Sequence, residues 1–263
     1  MGLLLAIWAC GAGSLNIVIT RRPASDLRLA LTITGQYSRM PNISIQAQVF
    51  EGANPQPVFL ASGARLTCDG RDIKPNTQIA VHPCPRQAPG GTYQIAYTDE
   101  HGAVTTLLVR VPVGEFAILS PQPGAQVPIP TNANLEVRLA LPVPPAGSVV
   151  AVDSIYATCW AAPCSAFFLP PAGPPLAAPS TAPVSSPTPG VAATCAPAPQ
   201  GPRVKLSVGQ ATITMAGDFG VFQPGPGMIE AAMKVCVTPA HAGFSAATVT
   251  FFDWTSAPIT WTR

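Results

Sequence analysis

Hydrophobic and polar positions alternate along most of this chain. Leu27, Leu29, Leu31 and Ile33 alternate with Arg28, Ala30, Thr32 and Thr34, the period of two expected of a strand with one buried face. Ile43, Ile45, Ala47 and Val49 repeat the pattern against Ser44, Gln46 and Gln48. Residues 15–20 form another strand candidate, stopped by Arg21-Arg22-Pro23. Residues 64–68 form a further one, closed by Asp69-Gly70, a dipeptide suited to a two-residue hairpin turn. Residues 90–98 and 103–111 read as strand and return strand around the turn 99–102. From Phe116 a second series begins, with strands expected over 134–141, 149–156, 205–215 and 246–252. Residues 228–236 carry helix-forming side chains. Gly225-Pro226-Gly227 before them and Val235, Val237 and Thr238 at their end favour a strand.

Composition strengthens this reading. Among 263 residues 48% are hydrophobic and only 10% charged, with 32 prolines and 22 glycines. A helical protein spends Lys, Glu and Arg on its solvent faces, and interior prolines cost a helix about 3 kcal/mol each. Thr, Ser, Asn and Gln must supply the polar surface here, which suits an all-β chain. The net charge of +2 has no basic cluster beyond Arg21-Arg22, which speaks against nucleic acid as a partner. Acidic runs are absent too, which speaks against a multi-carboxylate calcium cage.

Several local patterns resemble known protein types. The 90–98/103–111 hairpin resembles the last two strands of an immunoglobulin-like sandwich. Ser120-Pro121-Gln122-Pro123-Gly124-Ala125-Gln126-Val127 is similar to the opening strand of bacterial extracellular immunoglobulin-like (fibronectin III-like) modules. These resemblances imply two tandem immunoglobulin-like β-sandwiches, over 15–113 and 116–263. Residues 3–9 read LLLAIWA and precede Cys10-Gly11, which resembles the bacterial lipoprotein signal. That resemblance implies export, a leader and tether over 1–14, and lipidation of Cys10. Trp8 and the lack of a preceding Lys or Arg depart from the signal pattern. No other segment reaches the roughly 18 apolar residues of a membrane span. Any contact with a membrane is then expected through the anchor alone, with the body of the protein at the cell surface.

Between Ser154 and Pro202 there is no charged residue, and residues 163–202 carry twelve prolines. That segment lacks the large side chains and periodicity of a core. It reads as a Pro-rich insertion within the second sandwich.

Six cysteines follow Cys10. Cys68 and Cys84, with fifteen residues between them, are expected to bridge within the first unit, a closure contributing about 3 kcal/mol. Cys159, Cys164, Cys195 and Cys236 allow three connectivities. Cys164 with Cys195 at the base of the insertion, and Cys159 with Cys236 between strands, is the preferred pair of bridges. Zinc is disfavoured against disulfides, because the closest two cysteines, Cys159 and Cys164, have four residues between them and the only downstream histidine is His241. No metal or cofactor is expected.

Catalytic motifs are missing from the sequence. There is no nucleophile elbow, H-E-x-x-H, P-loop or G-x-G-x-x-G. His82 precedes Pro83-Cys84, and His101 falls in a hairpin turn. His241 with Asp253 and a serine is the least poor triad. Acids are sparse after Phe116, and Asp153, Asp218, Glu230 and Asp253 read as turn or surface residues. The remaining lead is aromatic: Tyr156, Trp160, Trp254 and Trp261 are candidates for stacking on a ligand, although large aromatics are more often buried. The expected function is non-enzymatic, a structural or adhesive module facing an envelope protein or polysaccharide. The alternative is a carbohydrate-binding module that uses those aromatics, and a third, less favoured reading is an enzyme with an unrecognised site.

Overall fold

The computed structural model describes residues 19–37, 41–54, 56–75, 84–132, 134–146, 148–160, 164–168, 203–217, 219–237, 239 and 243–263. The described residues are all-β, with two short 3-10 turns (Ala24–Asp26 and Phe219–Val221) and no α-helix. In chain order the strands are β1 (Ile19–Thr20), β2 (Leu27–Thr34), β3 (Asn42–Glu51), β4 (Phe59–Leu60), β5 (Arg65–Cys68), β6 (Arg71–Ile73), β7 (Cys84–Pro85), β8 (Thr92–Thr98) and β9 (Val104–Arg110). They continue as β10 (Ala117–Ser120), β11 (Gln126–Pro128), β12 (Asn134–Ala140), β13 (Val149–Cys159), β14 (Cys164–Phe168), β15 (Val204–Ser207), β16 (Gln210–Ala216), β17 (Gly225–Val237) and β18 (Ala246–Thr262).

Alternation sets the faces. In β2 every second residue from Leu27 to Ile33 is buried, and β3 and β8 repeat this. The Asp69-Gly70 turn joins β5 to β6, with Cys68 opposite Arg71 and both turn residues at positive φ, as a type I′ hairpin requires. The 228–236 segment is strand within β17, paired along its length with β13 and β18. Each neighbour claims its backbone N–H and C=O groups, which overrides helix propensity.

The strands form two layers in each half of the chain. In the N-terminal half, β2-β3-β7 lies on one side and β6-β5-β8-β9 on the other. Leu29, Leu31, Ile45 and Val49 share a core with Leu66, Ile95, Tyr97 and Val109. In the C-terminal half the layers are β10-β12-β16-β15 and β14-β13-β17-β18, with β11 parallel to β18. Val137, Leu139, Ile213 and Met215 meet Ile155, Met233, Ile259 and Trp261 there.

The halves are not separate. β18 has 17 residues and is about 55 Å long at 3.3 Å per residue. Its first part, Ala246 to Phe252, runs parallel to β2, while its end pairs with β11. One sheet, β14-β13-β17-β18-β2-β3-β7, therefore crosses the molecule. Ser245 donates its backbone N–H and its hydroxyl to the Leu27 carbonyl, and Phe244 packs on Tyr97 with ring centres 6.2 Å apart. A second unit over 116–263 is thus not self-contained, because its last strand and the loop before it complete the first half. Hydrophobic alternation within β18 cannot distinguish one sheet from two.

Smaller departures have local causes. Residues 205–215 form a hairpin, not one strand: β15 turns into β16 through Val208-Gly209, with Gly209 at φ 73°. The Pro-rich segment starts later than 163, because Cys164–Phe168 pairs with β13 as β14. Cys10 and the leader 1–14, residues 169–202 with Cys195, and His82, Asp218 and His241 lie outside the described residues.

Candidate functional site

The four aromatic candidates separate into two environments. Trp261 is 1% exposed and is a core residue, which corrects its reading as a ligand contact. Its ring packs edge-on to Phe222 at 5.0 Å and near Phe219 at 6.4 Å. Its indole N–H donates to the Thr158 carbonyl at 2.9 Å, as a buried indole requires. Tyr156, Trp160 and Trp254 are 39%, 63% and 57% exposed.

The exposed three lie on the outward side of the continuous sheet. Register places Tyr156 beside Glu230 and Ser256, one step along β18 from Trp254. Strand spacings put Tyr156 and Trp254 about 12 Å apart, with Trp160 about 13 Å further along β13. Trp160 extends the ladder by donating its N–H to the Pro226 carbonyl. Phe252 lies 6.5 Å from the Trp254 ring. Lys234 sits over Phe252 and forms an ion pair with Asp153. Thr34 and Ser44 continue the same row onto β2 and β3. The result is a broad ribbed face, aromatic at one end and hydroxylated at the other. Rings exposed on a sheet can stack on apolar faces of a ligand at little entropic cost.

Beneath it lies a polar core feature that alternation does not predict. Asp253 is on the inward side of β18 and has no exposure. One carboxylate oxygen accepts the Tyr37 N–H at 2.7 Å, and the other, Oδ1, has no hydrogen-bond partner. Burial raises its pKa, against the lowering pull of the N–H groups of Tyr37, Trp254 and Gly35 and of the Arg86 charge. Asp253 ties β18 to the segment following β2, so its role is read as joining the halves. The sequence signal is a lone acid at an inward position of an alternating strand.

A second buried cluster sits between the layers of the N-terminal half. Cys68 ends β5, Asp69 begins the turn, and Cys84 begins β7. The ligand atoms of all three lie within 4.8 Å of one another. Cys68 and Cys84 are buried free thiols, which corrects the expected bridge: their sulfurs meet as hydrogen-bonded thiols and not as a disulfide. The Cys84 thiol also reaches the Cys68 carbonyl at 3.6 Å and Asp69 Oδ2 at 3.9 Å. Its hydrogen bond to Cys68, and then burial, push the Cys68 pKa well up. Asp69 is held by Gln87 Nε2 at 2.8 Å and by the Gln94 N–H at 2.8 Å. Gln87 links onward through the Tyr93 hydroxyl, which donates to Gln36.

The other cysteine expectations meet the strand register. Cys159 is opposite Gly227 and Cys236 opposite Val149, so they lie about 30 Å apart along the sheet and cannot bridge to each other. Cys164 stands directly opposite Cys159 in the β13–β14 ladder. Its pairing with Cys195 involves a residue outside the described set.

Among the described residues the acids and histidine do not converge as a catalytic set. His101 is exposed on its hairpin, 3.7 Å from Glu100. Asp153 pairs with Lys234, and Glu230 stands on the outward face. Asp253 is sealed in the core, and His241 lies outside the described residues. No helix of the described residues is long and apolar enough to cross a membrane.

No protein-family model matches the chain, and no curated protein matches it. Among solved structures, the three N-terminal domains of the bacteriophage RB49 Highly Immunogenic Outer Capsid protein (Hoc) align over 89% of this chain and 70% of theirs, at 7% identity and a TM-score of 0.21. The fold described above rests on strand order and register alone.

Proposed function

We propose that this chain is an exported, non-enzymatic binding protein built from two immunoglobulin-like units fused through one sheet. Strand order supports the fold reading. In the C-terminal half β10-β12-β16-β15 opposes β14-β13-β17-β18, the A-B-E-D and C-F-G arrangement of immunoglobulin sandwiches with an added edge strand. In the N-terminal half β2-β3-β7 opposes β6-β5-β8-β9 in the same sense. Lipidation of Cys10 and a surface location belong to the proposal. Cys159 and Cys236 each take part in a disulfide, which favours an oxidising compartment.

The observation that carries the binding role is the exposed Trp254, Tyr156 and Trp160, with the half-buried Phe252, on one sheet face. The function we infer is recognition of an envelope component by that face. Carbohydrate is the second reading, favoured by aromatics about 12 Å apart on one sheet face. The test is retention of the intact chain on immobilised envelope proteins and insoluble polysaccharides, with Trp254→Ala and Tyr156→Ala compared. Retention lost in both variants, with the fold kept, supports the reading. Retention unchanged in both removes the face from the function. Turnover of a chromogenic substrate overturns the non-enzymatic reading.

A further inference from the structure

We propose that Cys68, Asp69 and Cys84 form a binding site for a thiophilic divalent metal ion of the zinc class. Two thiols and one carboxylate converge from two facing layers, with the ligand atoms of all three within 4.8 Å of one another. Tetrahedral zinc, with bonds of about 2.3 Å to sulfur and about 2.0 Å to oxygen, needs sulfur–oxygen separations of about 3.5 Å and sulfur–sulfur separations of about 3.8 Å. Cys84 Sγ lies 3.9 Å from Asp69 Oδ2, so the set is within rotamer adjustment of that geometry.

The carboxylate distinguishes a metal site from a latent disulfide. A disulfide needs only the two sulfurs and offers a neighbouring carboxylate no proton to accept. A metal uses all three groups and benefits from the way Asp69 is held. Gln87 Nε2 and the Gln94 N–H fix its two oxygens, the outer hydrogen bonding that orients metal-bound carboxylates. The donor set of two sulfurs and one oxygen suits a borderline-soft ion and not calcium or magnesium. Binding displaces the two thiol protons: one ion and two thiols give a dithiolate complex and two protons, with Asp69 as the oxygen ligand. A fourth position is left for water or an outside ligand. The ion would staple the β5–β6 turn to β7 and protect the thiols from oxidation.

The test uses the full chain with Cys68 and Cys84 reduced, titrated anaerobically with Co²⁺ alone. The expected result is thiolate-to-cobalt charge transfer with tetrahedral ligand-field bands, saturating at one equivalent and bleached by Zn²⁺. Two protons should be released per ion. Asp69→Asn should weaken binding tenfold or more with the charge-transfer band retained, and a Cys68→Ser/Cys84→Ser double variant should lose the bands. A circular dichroism spectrum matching the parent shows that the double variant is folded, and the Asn variant keeps both thiols if it is not. Bands that persist in the double variant, or that never appear in the parent, overturn the proposal. So does peptide mapping that finds Cys68 bonded to Cys84 in protein isolated without reductant.

Discussion

Gly227→Ala should be among the most damaging single-methyl additions in this protein. Gly227 lies on β17 between Cys159 of β13 and Ile259 of β18. A Cβ there would come within 2.6 Å of Trp261 Cδ1, and closer still to Trp261 Nε1 and the Thr158 carbonyl oxygen. None of these can yield easily. The Thr158 oxygen is backbone in the middle of a sheet. The indole is boxed by Phe222 at 5.0 Å and Phe219 at 6.4 Å, and its N–H is used at 2.9 Å by that same oxygen. Overpacking costs about 1–3 kcal/mol, and stripping a buried N–H of its acceptor costs about 1–3 kcal/mol more. We expect a loss of about 4 kcal/mol, a large share of a typical domain's 5–15 kcal/mol. Urea unfolding followed by tryptophan fluorescence and by circular dichroism measures it. Gly124→Ala is the control: its φ of 81° strains an alanine, but nothing lies within 4 Å of the added carbon, so its cost should be near 1 kcal/mol. Trp261→Phe should absorb part of the Gly227→Ala loss, because phenylalanine is smaller and has no N–H to satisfy. A Gly227→Ala cost below about 1 kcal/mol, or an unchanged cost in the Trp261→Phe background, would refute the packing argument.

Other expectations follow from the same geometry. Phe251→Ala, at a fully buried position where β18 lies between β2 and β17, should cost about 3–5 kcal/mol. It should move one cooperative transition rather than detach one half, and two resolved transitions by calorimetry would count against the fused sheet. Asp253 has a pKa raised by burial, so its ionised form disfavours the fold. Its contribution should improve as pH falls through the folded-state value and be complete below the unfolded one. Asp253→Asn should therefore be neutral or stabilising at neutral pH and, by removing a contribution that grows as pH falls, should steepen the acid limb of the stability profile; a flatter limb would contradict this. Trp254→Ala and Tyr156→Ala should change stability by no more than about 0.5 kcal/mol in thermal unfolding, since both side chains face solvent.

Much of the strand content was legible because a strand with one wet face writes itself as alternation. Residues 27–34 and 92–98 are strands where the pattern places them, and Asp69-Gly70 turns the chain as that dipeptide demands. Short pieces escaped: β4, β6 and β7 have two or three residues each, too few for any period. The candidate site was legible by residue type and not by environment. Trp254 and Trp261 sit seven residues apart on β18, an odd spacing that sends them to opposite faces of the sheet. That inference was available in principle, but only once a single unbroken strand across 246–262 was known, and Pro258 argues against one. Its N–H is absent, and it is tolerated at the end where β2 no longer pairs.

By itself, then, the sequence determined the class of structure: period-two patterning, scarce charge and abundant proline leave an all-β chain as the consistent solution. It also determined which cysteines are near one another along the chain. Tertiary structure decided what joins to what. Pairing β18 with β2 merged two expected units into one sheet, because a strand edge satisfies its hydrogen bonds with whatever edge lies beside it, however distant in sequence. Pairing of β7 with β3 brought Cys84 against Cys68 and Asp69, and the β13–β17 ladder left Cys159 and Cys236 at its opposite ends. Distances of that kind depend on register between strands, and no local periodicity encodes them.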